Sequence, residues 1–107
     1  VMVQGDIAVA LGLPAQGGLL IQVVESGSTA EDAGLKGPTR RVIVGNYPLG
    51  IGGDLIVAVD GKPIEKQDDV QRALTRKRAG DPMVLTIFRN GRTQKVTVKL
   101  GAAPETL

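Results

Sequence analysis

Apolar residues follow three different rhythms along this chain, and each rhythm predicts a different element. From Leu55 to Val59 five residues in a row are apolar, with Gly52-Gly53 before them and Asp60-Gly61 after. A short unbroken run between turn-formers is the pattern of a strand covered on both faces. Over residues 93–100 the rhythm is alternation, Val96, Val98 and Leu100 against Lys95, Thr97 and Lys99, which turns one face to a core and the other to water. Asn90-Gly91 joins that strand to another over residues 83–89, and Asn-Gly suits the type I′ turn of a hairpin. Over residues 68–78 the spacing is helical: Val70, Ala73 and Leu74 fall at i, i+3 and i+4, Asp68 is a good N-cap, and Gly80 with Pro82 ends the run.

The rest of the chain fills in around these. Residues 1–4, Val-Met-Val-Gln, read as the remainder of a strand. Apolar residues at 7, 9, 11 and 13 fit one helical turn or an irregular crossing, stopped by Pro14 and Gly17-Gly18. Residues 19–24 predict a strand. Ser28-Thr29-Ala30-Glu31 has capping-box spacing and opens a helix of about two turns that Gly34 closes. Residues 36–52 read as an inserted hairpin or flap, with a short strand over 40–44 and a turn at Gly45-Asn46-Tyr47-Pro48. The glycines at 50, 52 and 53 precede a strand and are followed by no Gly-Lys-Ser/Thr, so they do not form a phosphate loop. The sum is five or six strands and two helices in one α+β domain over residues 1–101, with a loose tail over 102–107.

Composition narrows what such a domain does. At 107 residues it buries about two thirds of the surface its unfolded chain exposes, so it needs no disulfide or metal staple. Thirteen Lys and Arg against eleven Asp and Glu leave a mild +2. The densest basic group, Arg72, Arg76, Lys77 and Arg78, sits at a predicted helix end, where cations complement the dipole. With one Tyr, one Phe and no Trp to stack bases, nucleic acid is not an expected partner. No run approaches the roughly 18 apolar residues of a membrane span, and residues 1–13 lack the order of a signal peptide, so no direct membrane insertion is expected. The absence of Cys suits reducing and oxidising compartments alike.

With no His and no Cys, neither the common nucleophile pairs nor the common zinc sites can be built. Adjacent Asp68 and Asp69 point about a hundred degrees apart on a helix and do not converge as an acid/base pair. Asp54 and Asp60 read as turn residues flanking the buried strand, and Ser26 and Ser28 as turn and cap. No catalytic residue, metal or cofactor is expected. A small sheet with a helix beside an exposed strand points instead to recognition, in which a peptide adds to a free strand edge and the helix offers a side-chain pocket.

A resemblance sharpens this. Gly27-Ser28 and Ala30, Ala33-Gly34-Leu35, Gly53-Asp54-Leu55-Ile56, Val59-Asp60-Gly61-Lys62-Pro63-Ile64, Asp69-Val70 with Ala73-Leu74, Gly80-Asp81 and Phe88-Arg89-Asn90-Gly91 stand in an order that resembles a PDZ domain of the kind carried by HtrA (Deg) family serine proteases. The likeness covers about residues 19–100. It implies a partly open, five- or six-stranded antiparallel β-barrel or sandwich capped by two α-helices, which binds the C-terminal residues of polypeptides. The peptide-pairing strand maps to Val1, Met2, Val3 and Gln4, with the carboxylate-holding loop at or before Val1. On the helix side Gln71 and Thr75 flank the groove and Leu74 straddles core and pocket, while Val70 and Ala73 face the core. The resemblance also implies a protease domain N-terminal in the parent chain, partner or unfolded proteins as ligands, and an extracytoplasmic or organellar location. The tail, Pro104-Glu105-Thr106-Leu107, has the form of a ligand for such domains, so self-association through it is a further expectation. The rival expectation is an assembly module that packs through the edge strand or the 36–52 segment and binds no free peptide.

Overall fold

The strand predicted from the unbroken apolar run is the centre of the molecule. In the computed structural model, which describes residues 1–100, β5 (Leu55–Val59) has Leu55, Ile56 and Val59 buried and pairs on both sides. Its neighbours are β2 (Gly18–Leu20) and β7 (Pro82–Arg89). Beyond them lie β1 (Met2–Val3) and β8 (Arg92–Lys99), giving the antiparallel order β1-β2-β5-β7-β8. The short β6 (Lys62–Pro63) folds back on β5 through Asp60-Gly61, at φ of 49° and 83°, a turn that Asp and Gly tolerate.

The side chains of β5 feed two cores. Leu55 joins Val3, Leu20, Leu49 and Ile51 on one side, where Val57 packs as well; Ile56 joins Val70, Leu74, Met83, Leu85, Ile87 and Val98 on the other. A bulge between Ile56 and Ala58 shifts the register against β7, and this returns Val59 to the Ile56 side despite its odd number. The hairpin of β7 and β8 pairs without interruption from Pro82↔Lys99 to Arg89↔Arg92, with Asn90 and Gly91 both at positive φ as the type I′ turn requires.

Among the described residues there are three short helices and eight strands, where the sequence predicts two helices and five or six strands. The extra helix is α1 (Gly5–Ala10), so residues 7–13 take the helical option, and none of the three is long and apolar enough to cross a membrane. α2 (Thr29–Asp32) is a single turn in place of two; Ser28 Oγ accepts from Glu31 N at 3.2 Å and the Glu31 carboxylate reaches back to the Gly27 N–H. α3 (Asp69–Thr75) stops short of Arg78. Asp68 caps nothing with its side chain; its carboxylate pairs with Arg72 at 3.1 Å, and Asp69 accepts the N–H groups of Glu65 and Lys66, upstream of the helix. Those two bonds hold the Asp69 carboxyl below its usual range.

Residues 36–52 form the expected hairpin, β3 (Arg40–Val44) and β4 (Tyr47–Ile51), as a separate two-stranded sheet. Its turn is the pair Gly45-Asn46, and Tyr47 and Pro48 belong to the strand, since Gly45 at φ 62° makes a two-residue connection possible. The predicted tail, and the self-association assigned to it, lie outside the described residues.

Candidate functional site

The predicted strand over residues 19–24 is only half a strand. β2 pairs with β5 as far as Leu20, and Ile21 N donates to Asp54 O at 3.0 Å. Beyond that point residues 21–25 take no regular structure, and among the described residues no backbone–backbone hydrogen bond engages Gln22, Val23 or Val24.

Facing this segment is α3, and between them lies a cavity of about 370 Å³. Leu19, Ile21, Gln22 and Val23 form one wall; Val70, Gln71 and Leu74 form the other. The helical stripe explains the second wall. Val70 and Leu74 are buried in the main core yet reach the cavity at its edge, and exposed Gln71 stands at its lip. Glu25 is the one charged side chain among the lining residues, and the other polar side chains there are the amides of Gln22, Gln67 and Gln71. An apolar trough rimmed by amides, with Glu25 as its one carboxylate side chain, suits an apolar ligand segment. Among the described residues no cluster of three metal-binding side chains occurs.

The residues predicted for the site divide. Val1, Gln71 and Leu74 line the cavity together, and Val1 lies at its end, bonded to Leu20 through both its amino group (3.0 Å) and its carbonyl (2.7 Å). Met2 is half-buried against the main core, Val3 is buried in the second core beside Leu20, and exposed Gln4 leads into α1. Thr75 lies off the lining, its Oγ1 donating to Arg72 O at 2.7 Å. Val70, predicted for the core alone, also touches the cavity. The wall at residues 21–25 escaped the sequence reading. Its one signal is Gln22, a lone amide inside the apolar run Leu19-Leu20-Ile21 and Val23-Val24.

Asp54 also departs from expectation. It is no turn residue but fully buried, accepting from Arg89 Nε at 2.7 Å, Arg89 Nη2 at 2.6 Å and Lys36 N at 2.9 Å. Arg89 Nη2 also donates to Gly34 O at 2.9 Å, so one ion pair ties the end of α2 to β5 and β7. A carboxylate turned inward needs such partners, and the Asp54 hydrogen bond pushes the Arg89 pKa further up. Asp60 does turn the chain, and its carboxylate also takes the Val84 N–H at 2.9 Å and Lys77 Nζ at 2.7 Å.

Known proteins share this architecture. Residues 5–100 match the PDZ domain family model PDZ_2. The chain is 37% identical over 92 residues to the chloroplastic Protease Do-like 8 of Arabidopsis thaliana, covering 86% of this chain and 20% of that protein. It is 29% identical over 99 residues to a DegP-like periplasmic serine endoprotease of Rhizobium meliloti, covering 92% and 17%. A DegP-like relative in Pseudomonas putida is 32% identical, with 96% and 18% covered. The chain thus spans about a fifth of the length of these curated relatives, and the part it spans is not catalytic by itself. In fold it is similar to an HtrA-type protease solved with a decapeptide (TM-score 0.69, 21% identity, 97% of this chain and 27% of that one). It is also similar to a Geobacillus thermodenitrificans protein solved in solution (TM-score 0.56, 22% identity, 86% and 87% covered). By its family match, its relatives and its open antiparallel sheet, this chain belongs to the PDZ domain family, in the form carried by HtrA (DegP-like) serine proteases.

Proposed function

We propose that this domain binds the C-terminal residues of polypeptides in the groove between residues 21–25 and α3, and that it serves a protease of the HtrA type as its regulatory or substrate-recognition part. The observation that carries the reading is the apolar trough between the end of β2 and α3, walled by Ile21, Val23, Val70 and Leu74. A peptide lies there in extended form, and alternate side chains enter the trough against Val70 and Leu74. Micromolar affinity is expected, about −8 kcal/mol, because a flexible peptide is ordered on binding. Relatives in the bacterial periplasm and the chloroplast support an extracytoplasmic or organellar setting.

The test is an NMR titration with apolar-ended peptides, in free-acid and amidated forms. The expected result is amide shifts over residues 21–25 and at Gln71 and Leu74 with the free acids, and much weaker ones with the amides. Equal response to both forms overturns C-terminal recognition, and shifts elsewhere overturn the site. A second reading, assembly without peptide binding, draws on exposed Ile43 and Tyr47 of the β3–β4 hairpin, 70% and 78% accessible. It predicts a concentration-dependent dimer in light scattering and silence in the titration.

A further inference from the structure

A second cavity, of about 340 Å³, lies between α3 and the chain from Val59 to Glu65. It shares no lining residue with the groove, which takes Val70, Gln71 and Leu74 of the helix while this cavity takes Asp69, Arg72, Ala73 and the C-cap Arg76. Val59 and Ile64, both buried in the main core, form its floor with half-buried Ala73. Charge is sorted along its length. At one end Asp69 accepts the N–H groups of Glu65 and Lys66, which joins the start of α3 to the chain after β6 and leaves that carboxylate engaged. At the other end the Asp60–Lys77 pair, 2.7 Å apart, draws the β5–β6 turn to the end of α3. Lys62 stands two residues after Asp60 and Arg76 one before Lys77, so the same contact brings both cations to that end of the cavity. Among the described residues neither the Lys62 nor the Arg76 side chain has an ion pair or hydrogen bond, whereas Arg72 is paired with Asp68.

We propose that this cavity is a second binding site, for an acidic peptide segment in which a carboxylate side chain stands next to an aliphatic one. Two unpartnered cations on separate elements, converging on one end of a cavity, are complemented by a carboxylate. An aliphatic side chain beside it covers Val59, Ile64 and Ala73. Lys62, Pro63, Glu65, Arg72 and Arg76 are all exposed, so the site is an open trough that takes side chains and leaves the backbone of a segment outside. Glu65 at the far end repels a second acid there, which fixes the direction in which the segment lies. The basic group at the end of α3 is thereby divided. Arg72 and Lys77 serve carboxylates of the fold, Arg78 lies off the cavity, and Arg76 is left for a ligand. None of this depends on the groove being the site for C-terminal residues.

The probe is a peptide blocked at both ends, with one aspartate between two leucines, titrated into the domain and followed by amide NMR. Having no free C-terminus, it is not a ligand of the kind proposed for the groove, and residues 21–25 report on the groove separately. Shifts are expected at Lys62, Ile64, Glu65, Ala73 and Arg76, and they should fade when asparagine replaces the aspartate or serines replace the leucines. Lys62→Gln and Arg76→Gln each weaken binding about threefold, and together about tenfold. Arg78→Gln, which removes a charge from the same helix end but off the lining, leaves the affinity unchanged. All three positions are exposed, so the variants stay folded, which their amide spectra check. The proposal is overturned by silence of the unaltered domain, by shifts confined to residues 21–25, or by an Arg78→Gln loss equal to that of Arg76→Gln. Sodium acetate reproducing the shifts at the same concentration also overturns it, since the site would then take a bare anion. A failure here leaves the groove reading standing, because the two sites have no residue in common.

Discussion

The β7–β8 and β3–β4 hairpins both turn on two residues, Asn90-Gly91 and Gly45-Asn46, and both are tethered by a polar contact from a distant part of the chain. What surrounds them differs. β7 sinks Met83, Leu85 and Ile87 to full burial at the centre of the main sheet, and its tether is the ion pair of Arg89 with buried Asp54. β3 buries no side chain fully, Val42 and Val44 lie half-exposed on the second core, and the tether is the neutral amide of Gln22 on Gly50. One hairpin is fixed because the whole core depends on it. The other is anchored through β4, whose Leu49 and Ile51 are buried in the second core, and leaves β3 at that core's margin.

Cutting the two tethers gives the largest contrast. Asp54→Ala leaves the Arg89 guanidinium beside an emptied pocket and frees the Lys36 N–H, and a broken buried pair costs about 3 to 5 kcal/mol. For a domain of this size that is a large share of total stability, so chemical denaturation shows a midpoint shifted far down or no folded baseline. Gln22→Ala, by contrast, loses two half-buried neutral bonds, about 1 to 2 kcal/mol, and stays folded. Equal losses in the two variants would erase the distinction between the hairpins.

Truncation within the strands sharpens the same comparison at smaller scale. Ile87→Ala opens a cavity at a position with no accessible surface and is expected to cost about 3 kcal/mol; Val42→Ala, at the margin of the second core, about 1 kcal/mol or less. Urea denaturation with unchanged slopes would measure both. A Val42→Ala loss matching that of Ile87→Ala would make β3–β4 part of the central core.

How much of this was legible in the sequence follows the same division. β5, β7, β8 and α3 were visible because burial writes itself as periodicity, five apolar residues in a row or every second or third one, and Asn90-Gly91 marks its turn by backbone chemistry alone. The helix ends were less visible: Asp68 is fit to cap, yet its carboxylate goes to Arg72 and makes no cap bond, a choice between partners that local sequence does not decide. Asp54 was misread because a Gly-Asp before a strand looks like a turn until its carboxylate is seen to meet Arg89, 35 residues on. The groove's helix wall came through as Gln71 and Leu74. Its other wall did not: residues 21–25 keep the apolar look of a strand, yet β2 ends at Leu20. Gln22 was the one anomaly there, and its meaning depended on Gly50.

Among the polar contacts on the main-sheet side, that of Asp60 with Lys77 is short at 2.7 Å yet partly exposed, and it provides the smallest test. The Lys77 hydrogen bond, followed by the Val84 N–H, lowers the Asp60 pKa from its ordinary 3.8. The folded state therefore favours the carboxylate. Its stabilising contribution is complete above the ordinary carboxylate range and is lost as pH falls through the lowered folded-state value. Lys77→Met removes the first cause and leaves the second, so the Asp60 carboxyl should titrate closer to 3.8 in an NMR pH series while remaining below it. Solvent screens the pair, so at neutral pH the change in stability should stay within about 0.5 kcal/mol. A loss approaching that of Gln22→Ala would mean that exposed charge anchors the β7 side as strongly as the neutral clamp anchors β3–β4, and the contrast between the hairpins would then rest on core burial alone.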